Sequence, residues 1–143
     1  MNDVKKFFRL TPVDKKLFFE ALFTSIRVKL MVTFLPLRWY ARQLGVQHSL
    51  SSDSSDDNSY SLVYKISQAI VRCRKSIPWQ NRCLVEAITA KRMLQKRGLQ
   101  STLYLGVNKK DKKMTAHAWL RCGTIFVTGN RGKDNFVTVN TFA

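Results

Sequence analysis

The chain has 143 residues, enough for one ordinary domain with a helical extension. Hydrophobic residues make up 45%, which excludes a wholly disordered chain. The balance of 25 Lys+Arg against 9 Asp+Glu gives a net charge of +16, a field that attracts polyanions or acidic partners but dictates no fold.

The N-terminal stretch MNDVKKFFRLTPVDKK has neither the continuous apolar core nor the small-residue cleavage site of a signal peptide. Thr11-Pro12-Val13-Asp14 is a helix start, with Thr11 as cap, Pro12 in the first position and Asp14 against the positive helix end. Leu17, Phe18, Ala21, Leu22, Ser25, Val28 and Val32 follow at helical spacing. Phe19, Phe23, Ile26, Leu30 and Phe34 widen the apolar surface beyond one stripe, while Arg27 and Lys29 keep the run too polar for a spanning helix. Pro36 interrupts the pattern, and a second short helix is expected over Leu37 to Leu44, stopped by Gly45. Residues 1–46 thus form an N-terminal helical segment. Residues 47–60, within QHSLSSDSSDDNSYS, read as a Ser/Asp-rich linker or loop.

Residues 61–143 form the third piece. Leu62, Ile66, Ala69, Ile70 and Cys73 predict one helix, and a second runs from about Arg82 to Arg97, ending at Gly98. The period then changes. STLYLGV, TAHAWLRC, TIFVTG and NFVTVNTF read as short strands, with NKKDKKM as a polar hairpin loop. Helices followed by an antiparallel sheet make an α+β arrangement.

Cys83, Ala87, Ala90 and Leu94 share one face of the second helix, so the sulfur begins the inward face in the first turn. There the unpaired N–H groups and the positive dipole end favour a thiolate, and the backbone N–H groups of Cys83 and Leu84 can hold an oxyanion. A thiolate needs a proton partner. His117 and Trp119 point to one face of their strand, Ala116, Ala118 and Leu120 to the other. If the sheet packs on the Cys83 helix, the imidazole can reach the sulfur, take its proton and later donate one to a leaving amine. Against this, a lone helix cysteine is usually a small buried hydrophobe, and Cys73 and Cys122 are read that way. Three cysteines, widely spaced and without a CxxC pair, give neither a disulfide framework nor a zinc site. Reduced thiols in a cytoplasmic protein, with no metal and no cofactor, are expected. Glu86 is expected to pair with Arg82 within its own helix, and Trp79 and Gln80 are candidate cleft residues together with Trp119.

PWQNRCLVEAITAKRMLQKRGLQSTLYLGV, followed by AHAWLRCG, resembles the lasso-peptide leader peptidases, which are transglutaminase-like cysteine proteases. FFRLTPVDKKLFFEALFTSIRVKLMVTFLPLRWYARQLG resembles their basic, apolar helical opening. The resemblance implies a transglutaminase/papain-like core, with Cys83 as nucleophile and His117 as base. A third residue would orient the imidazole: Asn130 is preferred, with Asp134 as the other candidate in TIFVTGNRGKD. It implies removal of the leader region of a lasso-peptide precursor by the stand-alone protease of a split system. The partners would be a separate leader-binding protein and an ATP-dependent cyclase that closes the macrolactam. No nucleic acid is expected on this reading. Two other classes stand beside it: a basic nucleic-acid-binding module, and a peripheral membrane or scaffold protein using its Phe-rich N-terminal helices. Acyl transfer to an amine instead of water uses the same Cys–His chemistry.

Overall fold

In the computed structural model, residues 2–44, 57–76, 82–130 and 133–143 are described. Among these residues five α-helices precede the sheet: α1 (Asn2–Phe8), α2 (Pro12–Phe34), α3 (Leu37–Tyr40), α4 (Asp57–Ser76) and α5 (Arg82–Lys96). Four strands follow: β1 (Thr102–Lys110), β2 (Lys113–Cys122), β3 (Ile125–Thr128) and β4 (Val137–Phe142). They form one antiparallel sheet in the order β3-β2-β1-β4. The α+β class read from the sequence is therefore the observed one.

The helix boundaries follow from the capping chemistry. The Thr11 hydroxyl accepts from the Asp14 amide at 3.2 Å and opens α2, with Pro12 in its first turn. α5 ends in a Schellman motif: Gly98 adopts φ 72°, Leu99 N–H donates to Leu94 O and Gly98 N–H to Gln95 O, both at 3.0 Å. The expected helix over 37–44 divides into α3 and a 3-10 turn at Ala41–Leu44. α4 begins at Asp57, so residues 57–60 open a helix where the composition suggested linker.

The hairpin between β1 and β2 is tighter than expected. The strands pair as far as Lys110 and Lys113, leaving Asp111 and Lys112 as a two-residue turn with φ 54° and 66°. Positive φ at both positions matches the twist of the paired strands, so the Lys-rich stretch continues the ladder.

α5 lies between two layers. α2 and α4 pack on one side of it, and β1, β2 and β3 on the other. Residues 85–91 are consequently all buried, whereas its sequence suggested a single inward face. The polar groups in this stretch are satisfied. Thr89 Oγ1 donates to Val85 O at 2.6 Å, and Lys91 Nζ donates to Ser101 O at 2.6 Å. Glu86 forms a bidentate pair between helices with Arg74 of α4, at 2.7 and 2.8 Å; the side chain of Arg82, its expected partner within α5, lies outside what is described. Arg97 and Glu20 make a second such clamp between α5 and α2, at 2.7 and 2.8 Å.

The core joins Leu17, Ala21 and Val28 of α2 to Val63, Ile66 and Ile70 of α4, the buried face of α5, and Leu103, Leu120 and Phe142 of the sheet. α2 is apolar on its opposite side as well. Phe19, Phe23, Ile26, Leu30 and Phe34 are exposed there.

Candidate active site

Cys83 occupies the second position of α5 and is half-buried, as is Leu84, after which the helix enters the core. Its fellow thiols differ. Cys73 is buried with Sγ 3.5 Å from Phe18 O, and Cys122 is buried with Sγ 3.3 Å from Gln100 O. Burial pushes the Cys73 thiol up to about 12, helped by the nearby Glu86 charge, and burial raises Cys122 too. Cys83 alone of the three keeps access to solvent.

His117 lies where β2 leaves the core. Residues 113–116 are exposed, His117 is half-buried and 118–122 are buried. Its ring is held on three sides. Trp119 stacks on it at 5.7 Å between centroids, and Phe136 approaches at 5.1 Å. Nε2 lies 2.8 Å from Gly129 O. A carbonyl only accepts, so Nε2 carries the proton and the lone pair of the neutral ring is on Nδ1. Trp119 also stacks flat on Tyr104 at 5.5 Å and is almost wholly buried, so it supports the imidazole from beneath instead of walling an open cleft.

Two glycines make room for this arrangement. A Cβ on Gly106, which pairs with His117 across the ladder, would lie 2.8 Å from the Trp119 ring. Gly129 has φ 70°, and a Cβ there would lie 2.5 Å from Ala118 O.

Lys91 bonds Ser101, next to the Gln100 carbonyl that receives the Cys122 thiol, which ties the middle of α5 to the end of β2. The sheet does pack on α5, but through Ala118, Leu120 and Cys122, and His117 belongs to the alternate set with Trp119. The packing expected to carry the imidazole to the sulfur thus uses the other face of β2, and no hydrogen bond joins Cys83 to His117 among the described residues.

A model of the transglutaminase-like superfamily matches residues 30–141. The chain belongs to that superfamily. This branch of the transglutaminase-like proteins is associated with lasso-peptide leader protease activity, in agreement with the resemblance carried by the Cys83 helix and the His117-Ala118-Trp119 strand. No curated protein and no solved structure matches the chain.

For this transglutaminase-like chain, the sequence nominated Asn130 and then Asp134 to orient the imidazole. Asn130 is exposed, and its carbonyl accepts from Lys133 N at 3.4 Å. Asp134 is exposed and pairs with Lys133 at 3.0 Å. The partner of His117 is the backbone one residue before Asn130, a group that no side-chain pattern reveals. The one sequence feature that could have marked the place is Gly129, which takes up the left-handed region at φ 70°. Phe136 was also missed, because it precedes β4 in a segment read only as strand. Trp79 and Gln80 lie outside the described residues, as does His48.

Proposed function

We propose that the chain is a cysteine protease that removes the leader from a lasso-peptide precursor, with Cys83 as nucleophile and His117 as general base. The observation that carries the reading is the family match over residues 30–141, which spans both residues. It is supported by a solvent-accessible cysteine in the first turn of α5 and an anchored imidazole with its lone pair on Nδ1.

In the reaction, Nδ1 takes the Cys83 proton and the sulfur attacks the carbonyl at the end of the leader. N–H groups at the start of α5, those of Cys83 and Leu84, stabilise the oxyanion. The C–N bond breaks as the imidazolium returns its proton to the departing amine of the core peptide. Water, deprotonated by Nδ1, then cleaves the thioester and releases the leader as a carboxylate. The Gly129 carbonyl holds Nε2–H and thereby the tautomer. Being uncharged, it stabilises the imidazolium less than a carboxylate would. A leader-binding protein presenting the precursor and a cyclase closing the product complete the proposal, set in a reducing compartment that suits three free thiols.

The test is leader release followed by mass spectrometry, with a cognate precursor and its leader-binding protein. Wild type is expected to cleave, and folded Cys83→Ala and His117→Ala to lose at least roughly a hundredfold. Cleavage by Cys83→Ala at the wild-type rate would remove the nucleophile and the reading with it.

A further inference from the structure

Phe19, Phe23, Ile26, Leu30 and Phe34 recur at steps of three and four residues, so they form one stripe about 22 Å long on α2. The stripe faces directly away from Leu17, Ala21, Ser25 and Val28, which fill the core. Its exposure is high, with Phe23 65% and Phe34 77% exposed, and Trp39 of α3 beyond its end is 64% exposed. By helix geometry, Lys16 and Arg27 run along one edge and Lys15 along the other. At Phe19 the stripe meets a groove of about 750 Å³ between α1, α2 and α4. Lys6, Arg9, Arg72 and Lys75 line that groove beside Phe7 and Phe18, and no acidic side chain lines it among the described residues.

We propose that this face is a binding surface for an anionic lipid membrane, with the α2 stripe lying in the interface and the basic groove taking lipid headgroups. Three observations select this occupant. The apolar residues stand on the outward crest of a helix, a shape that enters the headgroup boundary more readily than it grips a peptide. Cations flank the stripe on both edges, where their stems reach past apolar surface to negative headgroups. The adjoining groove adds four further cations without a competing acid. No described helix is long and apolar enough to cross a membrane, so the mode is attachment to the surface. The proposal is independent of the chemistry at Cys83.

Sedimentation of the full chain with phosphatidylcholine vesicles, with and without phosphatidylglycerol, tests it. Binding to the anionic vesicles is expected, at least tenfold tighter than to neutral ones. Phe23→Ser/Phe34→Ser and, separately, Lys6→Glu/Arg9→Glu should each weaken it at least tenfold while keeping the wild-type circular dichroism. Three results overturn the proposal. The wild type does not bind anionic vesicles; or it binds neutral vesicles as well; or it sediments alone as a dimer that the Phe double variant dissociates, making a second copy the occupant.

Discussion

The Nε2 nitrogen of His117 lies 2.8 Å from the carbonyl oxygen of Gly129, so the neutral ring must present Nδ1 as its base. Nitrogen-15 NMR of the imidazole in Cys83→Ala should show the proton on Nε2. Asn130→Ala and Asp134→Ala should retain that tautomer and stay within about threefold of wild-type leader release. A proton on Nδ1, or a loss of roughly a hundredfold in Asn130→Ala, would return the orienting role to the side chain.

Accessibility separates the three thiols. Brief treatment with iodoacetamide under native conditions should give one adduct, mapped to Cys83 by peptide mass spectrometry. Cys73 and Cys122, buried and with raised pKa values, should react only after unfolding. A native adduct on Cys73 at a comparable rate would contradict the packing of α4 against α2.

Gly106→Ala tests the support beneath the imidazole. The added methyl must displace the Trp119 ring or the Phe136 Cβ, which lies 3.0 Å from its position. The expected cost is about 1–3 kcal/mol in urea unfolding, together with a changed near-ultraviolet signal from the Tyr104–Trp119 stack. Unchanged stability and spectrum would show that the sheet yields at this point.

Lys91 should give the stability a slope at alkaline pH. Burial lowers its pKa from 10.5 to about 8 in the folded chain. Between these values the unfolded state binds more protons, so this residue's contribution rises with pH and is complete above 10.5. Its burial in the charged form costs most below pH 8. Urea unfolding of wild type against Lys91→Met should show the gap moving in favour of wild type across this window, by a shift on the order of 1–3 kcal/mol. The Ser101 carbonyl left without its donor lowers the variant equally at every pH. A gap that does not change with pH would place the charge of Lys91 in a better-solvated site.

Local chemistry decided most of the elements. The Thr11 cap, the Gly98 stop and the alternation through His117-Ala118-Trp119 act within a few residues, so the helix–helix–sheet order and the candidacy of Cys83 were legible in the chain itself. The tertiary structure decided what meets across distance. It paired Glu86 with Arg74, covered α5 on both sides, left the Phe23 face of α2 open and brought the Gly129 carbonyl to His117. These depend on packing between segments far apart in sequence, and on backbone groups, which every residue carries and which no residue type can therefore announce.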